Sequence, residues 1–320
     1  MKLLALQIAS VLLGLVDAQG PPEQETYDFG KNTERGWKNW ATNLDPADFP
    51  VNFCGDTARQ SPINLREPIH TCDFQAEDLS YLITGSGFTF DAGDCTYAQI
   101  DSVKDAVANF QVNFPASGCT LPTLTAETDA MGGTTVYTLL QFHFHSKSEH
   151  TIDGKRFGAE VHLVHADLSD VTDPNGDGLP DNLLVIGINF EGDLTSDAPI
   201  LGSYFDTIAA VKGGDALAPE LLAAPFLPYD LIPSGTQFYS YLGSLTTPPC
   251  SEAVTWVVAA EPRHMSAAQL STLRTPKCGV TEDRTSETGD TFRGIQPLNG
   301  RNIYLCNGFA PPAVAPVEAS

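Results

Sequence analysis

Three histidines are placed to bind one metal ion. His143 and His145 lie two residues apart in the segment Tyr137 to His145, and His162 lies in the segment Glu160 to His165. Polar and apolar residues alternate in both segments, as they do in β-strands, so His143 and His145 leave the same face with Cα atoms ~6.5–7 Å apart. If the two strands pair antiparallel, the three imidazoles converge. Three neutral imidazoles with an open fourth position are typical of a catalytic zinc site.

Two further polar residues share the faces of these histidines. Gln141 lies on the His143 face and Glu160 on the His162 face, each two residues from a candidate ligand. A ligating imidazole usually donates its other N–H to an acceptor, so both are candidate acceptors. The alternative is that the histidines pack or face solvent and that both neighbours are ordinary exposed polar residues. The residues expected on the opposite, apolar face are Leu140, Phe142 and Phe144.

The remaining periodic segments are mostly strand-like. Leu183 to Phe190 and Ala253 to Ala260 are continuously apolar, which favours strands buried on both faces. We find no internal repeat and no linker. The sequence therefore predicts one mainly β (α+β) domain over residues 27–308, built on a large central twisted, mostly antiparallel sheet with short peripheral helices.

Two helices are predicted. Asp197 is the expected cap of a helix that continues to Val211, and Ser266 with Gln269 forms a capping box before a short helix that ends near Arg274. The apolar stripe of the first helix consists of Ile200, Leu201, Tyr204, Phe205 and Ile208.

Composition excludes some partner classes. The chain has 320 residues, 42% of them hydrophobic, which is enough for a full core. Its net charge of −23 repels nucleic acid and anionic membranes, so no nucleic-acid partner is expected. High solubility is the simplest interpretation of this charge.

The termini and cysteines indicate secretion, into the extracellular or periplasmic space. Residues 1–18 have the charge, apolar run and small residues of a signal peptide, followed by an N-terminal segment at 19–26. Residues 309–320 form a Pro/Ala-rich tail that is expected to be disordered, and no segment is expected to span a membrane. Seven cysteines in a secreted chain indicate disulfides, and because seven is odd, at least one is free or links two chains. The oligomeric state stays open.

Several ordered motifs resemble those of the α-class carbonic anhydrases, most closely the secreted algal and bacterial members. The resemblance covers roughly residues 27–308. The motifs are QFHFHS at 141–146, SEHT at 148–151, AEVHLVH at 159–165, GSLTTPPCSE at 243–252, RQSPIN at 59–64 and QPLNGR at 296–301.

The resemblance implies a zinc enzyme that interconverts carbon dioxide and bicarbonate. It implies that Thr246 and Glu149 orient a zinc-bound hydroxide for attack on carbon dioxide, and that Thr247 contacts bicarbonate. It also implies that His150 and His165 are buried structural residues. The residues that would form an apolar wall for carbon dioxide are Val164, Val185, Leu245, Val254 and Trp256.

The same resemblance implies three covalent features. These are a disulfide between Cys54 and Cys250 and cis peptide bonds at Ser61-Pro62 and Pro248-Pro249. Two positions depart from the family pattern. Alignment places Ala108 where many members have a proton-shuttle histidine, and Phe29 where a tyrosine usually orders water. Neither change removes the metal site, but both affect proton transfer.

Three other interpretations stay open. Asp173, Asn175, Asp177 and Asp181 resemble the front half of a calcium loop, although Leu184 stands where an EF-hand has glutamate, and a long acidic turn is the simpler interpretation. A non-catalytic secreted binding or matrix protein on the same fold would have lost a zinc ligand, and none is lost here. A zinc hydrolase acting on esters would need room for a larger substrate than a narrow apolar wall provides.

Overall fold

The structure is a computed structural model. It describes residues 29, 36–44, 46–47, 49–55, 58–66, 69–71, 88–95, 103–104, 111–114, 118–127, 133–170, 172–173, 176, 182–213, 227–274 and 290–307. The predicted signal peptide, the C-terminal tail, Ala108, and Asn175, Asp177 and Asp181 of the candidate calcium loop lie outside these residues.

Short strands dominate the described chain. They are β1 (Asn64–Leu65), β2 (Ile69–Thr71), β3 (Thr89–Asp91), β4 (Val103–Lys104), β5 (Gln111–Asn113), β6 (Thr123–Glu127), β7 (Thr134–Ser146), β8 (Thr151–Ile152), β9 (Lys155–Arg156), β10 (Ala159–Ala166), β11 (Leu183–Leu194), β12 (Phe238–Gly243), β13 (Val254–Ala259), β14 (Arg263–Ser266) and β15 (Ile303–Cys306). The helices are α1 (Trp40–Asn43), α2 (Gly202–Gly213) and α3 (Ala267–Arg274), with 3-10 turns at Pro199–Leu201 and Pro228–Leu231.

One large sheet organises the fold. Its order is β2-β15-β12-β13-β11-β10-β7-β5-β4, with β14 paired to β11 and the β3–β6 pair attached to β7. Among the described strands of this sheet, eight pairs are antiparallel and three are parallel, which confirms the predicted mainly β architecture. A second, small sheet has the order β1-β8-β9.

The two faces of the sheet pack against different cores. The helix-side core joins Phe142 and Phe144 of β7 to Tyr204 of α2, with ring centroids 5.8 and 4.9 Å from the Tyr204 ring. The whole predicted apolar stripe of α2 and its preceding turn packs there. The site-side core lies on the other face and contains Leu140, Val164, Val185, Val254 and Trp256.

The predicted face of Leu140 is wrong because β7 contains a bulge. His165 lies across from Leu139 and Val164 across from Gln141, so Leu140 is an extra residue on β7. A bulge of this kind breaks the alternation of side chains. Leu140 therefore joins the site-side core, while Phe142 lies in the helix-side core with Leu139.

The two predicted helix starts have different outcomes. The capping box before α3 is confirmed, since the backbone N–H of Gln269 donates to Ser266 Oγ (3.0 Å) and the N–H of Ser266 donates to Gln269 Oε1 (3.1 Å). The cap at Asp197 is wrong. The chain enters α2 through the 3-10 turn at Pro199–Leu201, whose N-cap is Ala198, a residue with no side-chain acceptor. The Asp197 carboxylate accepts the Ser266 hydroxyl instead.

Covalent features tie the N-terminal region to the loop after β12. A disulfide joins Cys54 to Cys250, the pairing that the resemblance implied, and both expected peptide bonds are cis. A second disulfide joins Cys95 to Cys119, and Cys306 is also disulfide-bonded. None of the described helices is long and apolar enough to cross a membrane.

Candidate metal centre

The three histidines meet on the site-side face of the sheet. β7 and β10 pair antiparallel with His143 across from His162, so the predicted convergence occurs. The ring centroids are 4.9 Å apart for His143 and His145, 5.2 Å for His143 and His162, and 4.7 Å for His145 and His162. One nitrogen of each ring lies within 4.8 Å of the other two.

Each ring has an acceptor for its remaining nitrogen. Nδ1 of His143 lies 2.8 Å from Gln141 Oε1, and Nε2 of His162 lies 3.0 Å from Glu160 Oε1. Nδ1 of His145 lies 2.5 Å from the carbonyl oxygen of Thr291. These contacts leave Nε2 of His143, Nε2 of His145 and Nδ1 of His162 as the nitrogens available to a metal, and the first two are only 3.1 Å apart. Convergent lone pairs with outward N–H groups are the donor arrangement that zinc requires.

Burial keeps the three imidazoles neutral. It lowers the pKa of His145 to about 4, although the bond to Thr291 opposes the shift. Burial also lowers the pKa of His162, and burial together with the neighbouring imidazoles lowers the pKa of His143 well below its usual value. His143 is the least buried ring of the three, so the cluster reaches solvent on that side.

Glu160 is the most highly connected carboxylate of the centre. Its Oε1 accepts from His162 and, at 2.7 Å, from Nδ1 of His150. Its Oε2 accepts the backbone N–H groups of Glu149 and His150, both at 2.8 Å. Burial disfavours the charged form, but His150 and His162 hold the pKa of Glu160 well below its usual range. His150 continues the network to the hydroxyl of Tyr241 at 2.6 Å.

A second carboxylate, Glu149, borders the centre. It is fully buried, and its Oε2 lies 3.5 Å from Nε2 of His145. Its Oε1 accepts the backbone N–H of Arg293 at 2.7 Å, and the Thr246 side chain lies close enough to lower the pKa of this carboxyl. Burial raises the pKa of Glu149, whereas the neighbouring His162, the Arg293 N–H and the Thr246 side chain oppose that rise.

Apolar residues adjoin the histidines in register. Val164 lies across from Val185, and Val185 lies across from Trp256. The Trp256 ring is 4.8 Å from the ring of His162, and its indole N–H donates to the carbonyl of Ser244 at 3.0 Å, at the start of the loop that carries Thr246. The five predicted wall residues all belong to the site-side core or pack against it.

Other predicted residues lie at different distances from the centre. Phe29 is buried with its ring 6.1 Å from that of His145, and a phenyl ring offers no hydroxyl to order water. His165 is buried on the other side of β10, stacked on Tyr229. Of the four candidate calcium ligands, the structure describes Asp173. Its carboxylate accepts the backbone N–H of Gly176 at 2.7 Å, as in an ordinary turn.

Sequence analysis missed Thr291 and Arg293. Thr291 acts through its carbonyl and Arg293 through its backbone N–H, and neither group depends on residue type. The one available signal was their position five and three residues before the QPLNGR motif at 296–301. Arg293 is itself buried, with its guanidinium bonded to Gln60 Oε1 at 2.9 Å and to the Ser61 carbonyl at 2.8 Å.

Comparison with known proteins agrees with this geometry. The model of the eukaryotic-type carbonic anhydrase family matches residues 36–307. Human mitochondrial carbonic anhydrase 5A is 31% identical over 278 residues, covering 84% of this chain and 83% of that protein. Mouse carbonic anhydrase 7 is 38% identical over 175 residues, covering 52% and 64%.

Two solved structures share the fold. The α-carbonic anhydrase of Photobacterium profundum is 26% identical, with a TM-score of 0.60 over 86% of this chain and 99% of that one. Dioscorin complexed with ascorbate is 24% identical, with a TM-score of 0.63 over 88% and 98%, a likeness that concerns the fold alone.

Proposed function

Because this chain belongs to the eukaryotic-type carbonic anhydrases, we propose that His143, His145 and His162 hold the zinc ion of a reversible carbon dioxide hydratase. The observation that carries the proposal is the convergence of three imidazole nitrogens whose opposite nitrogens all have acceptors. A bound zinc ion acidifies a water molecule and so supplies a nucleophile at neutral pH. Gln141, Glu160 and Thr291 fix the tautomers that such binding needs.

Glu149 and Thr246 orient the nucleophile. An ionised carboxylate can only accept hydrogen bonds, so Glu149 accepts a hydrogen bond from the Thr246 hydroxyl. The Thr246 oxygen must then accept the O–H of the nucleophile, which directs an oxygen lone pair towards carbon dioxide. The backbone N–H of Thr246 stabilises the negative charge that develops on the substrate oxygen.

Substrate and product contact different parts of the site. Carbon dioxide is apolar and packs against the wall formed by Val164, Val185, Leu245, Val254 and Trp256. This wall also keeps competing water away. Thr247, which is partly exposed, contacts bicarbonate as it leaves.

Secretion belongs to the same proposal. Residues 1–18 act as the signal peptide, and residues 27–308 form the single catalytic domain. The Cys54–Cys250 and Cys95–Cys119 disulfides support an oxidising compartment.

Stopped-flow carbon dioxide hydration with parallel metal analysis tests the proposal. Wild-type protein is expected to contain one zinc per chain, and chelator treatment is expected to remove zinc and activity together. His143→Ala should lose both, whereas His264→Ala, at an exposed histidine outside the centre, should lose neither. Full zinc occupancy in His143→Ala contradicts the ligand assignment. Ester turnover without carbon dioxide hydration contradicts the substrate assignment.

A further inference from the structure

One short segment of irregular backbone holds two parts of the centre at once. Residues 290–293, called the 290–293 segment below, lie outside every helix and strand. The Thr291 carbonyl accepts from His145 at 2.5 Å, and the Arg293 N–H donates to Glu149 at 2.7 Å. The position of this segment therefore sets both a candidate zinc ligand and the carboxylate that orients the nucleophile.

Contacts with the end of β7 hold the middle of the segment. The Thr291 N–H donates to the Ser146 carbonyl at 3.0 Å, and the Ser146 N–H donates to Thr291 Oγ1 at 2.9 Å. The Arg156 guanidinium lies over the Phe292 ring, 4.3 Å from the centroid of that ring. These contacts hold Thr291 and Phe292 in place, and the bonds of the Arg293 guanidinium to Gln60 and Ser61 hold the far end of the segment.

The first residue of the segment carries its ionic anchor. The side chain of Asp290 is only 3% exposed. Its Oδ2 lies 2.7 Å from Nζ of Lys147, which follows β7. Its Oδ1 lies 3.3 Å from Nε of Arg274, the last residue of α3, an ion pair by distance in which these two atoms form no hydrogen bond. A buried carboxylate between two cations strongly resists displacement, because moving it would leave a charge unpaired. Asp290, the residue before Thr291, thus contacts both the end of β7 and the end of α3.

We propose that Asp290 is a positioning residue for the metal centre: its pairing with Lys147 and Arg274 presses the Thr291 carbonyl against Nδ1 of His145 and so slows zinc loss. The inference rests on the proposed zinc function. Loss of a hydrogen-bond partner of a zinc ligand typically reduces metal affinity 10–100-fold. Because Asp290 acts through Thr291, the lower end of this range, about tenfold, is expected for its removal.

The experiment compares Asp290→Asn with Asp167→Asn in the full chain. Asp167 is also buried, and its carboxylate accepts from Ser169 and Asn182 rather than from the 290–293 segment. Zinc loss to a chelator is measured as a rate, and the Nδ1–H resonance of His145 is followed by NMR. Asp290→Asn should release zinc about tenfold faster and shift that resonance. Asp167→Asn should do neither, even when it lowers the free energy of unfolding by a comparable amount.

The outcomes separate the inference from the proposed function. If Asp290→Asn releases zinc at the wild-type rate and keeps the wild-type His145 resonance, Asp290 has no positioning role, although the zinc site itself is unaffected. Wild-type protein that takes up no zinc contradicts the proposed function, and the His145 resonance of the metal-free protein then still decides whether Asp290 places Thr291. If Asp290→Asn does not fold, Lys147→Gln, at a 40% exposed side chain, removes the shorter ion pair and should give the same two changes.

Discussion

A Cβ atom on Gly187 would lie 2.9 Å from Oε1 of Glu160, the oxygen that accepts from both His150 and His162. Gly187 lies across from His162 in the sheet, so the Glu160 side chain occupies the space that a larger residue would need. Glu160 cannot yield freely, because its other oxygen accepts two backbone N–H groups.

We therefore expect Gly187→Ala to weaken zinc binding and to destabilise the fold by roughly 1–3 kcal/mol, the usual cost of overpacking. Urea unfolding and zinc titration measure the two effects. Gly202→Ala is the matched control, since a Cβ there meets no atom within 4 Å. Equal zinc affinity in the two variants would contradict the close contact between Gly187 and Glu160.

Thr246→Val tests the orientation of the nucleophile. The substitution keeps the shape of the side chain but removes the hydroxyl that we propose donates to Glu149. Misplacement of a reacting group costs about 100-fold in rate, so kcat/KM for hydration should fall by about that factor with zinc content unchanged. Thr207→Val, at a buried threonine of α2, controls for the loss of a buried hydroxyl. A wild-type kcat/KM in Thr246→Val rules out the proposed role.

The sequence predicted those parts of the site that depend on side-chain type and local period. The alternation in β7 and β10 placed His143, His145 and His162 on one face, and the capping box located the start of α3. The Leu140 bulge was not predictable, because an extra residue in one strand is defined by its partner strand. Thr291 and Arg293 were missed because they act through main-chain atoms on residues more than 140 positions away in the chain.

His165 predicts a loss of stability in acid. Burial lowers its pKa to about 4, whereas a histidine in an unfolded chain has a pKa of about 6.5. The neutral form is therefore favoured by folding, so its stabilising contribution is complete above pH ~6.5 and is lost as the pH falls through ~4. The shift corresponds to roughly 3 kcal/mol.

Urea unfolding between pH 7 and pH 4 measures this contribution. His165→Phe retains a ring to stack on Tyr229 but cannot bind a proton, so its stability should fall less steeply than that of wild type over this range. His264→Gln, at an exposed histidine, should follow the wild-type curve. Parallel curves for wild type and His165→Phe would show that another group dominates the acid transition.

Non-reducing peptide mapping should find three disulfides within the chain and one thiol. Cys54–Cys250 and Cys95–Cys119 account for four of the seven cysteines, and Cys306 is bonded to a third partner. We expect the mapping to pair Cys306 with one of the two remaining cysteines of the sequence, Cys72 or Cys278, and to find the other as the thiol. Mapping that finds Cys306 as a thiol contradicts its bonding, and a covalent dimer on a non-reducing gel identifies the remaining cysteine as a link between chains.

Proton release is the step for which this chain offers no evident histidine relay. A group with a pKa near 7 is the best relay at neutral pH, and histidine is the side chain that has one unperturbed. Five of the seven histidines are candidate ligands or buried residues. His70 lies on β2, five strand positions from β10 in the sheet, and His264 pairs with Asp193 at 2.8 Å.

External buffer is therefore expected to carry much of the proton traffic. Turnover at saturating carbon dioxide should rise strongly with an imidazole-type buffer, whereas kcat/KM should barely change, because the steps it reports precede proton release. Ala108→His should raise kcat and weaken the buffer dependence by placing an imidazole at the position where the family resemblance puts the relay. Stopped-flow hydration at several buffer concentrations measures both parameters for each protein. If the wild-type kcat is already high and does not change with buffer concentration, another group carries the proton, because turnover then does not depend on external buffer.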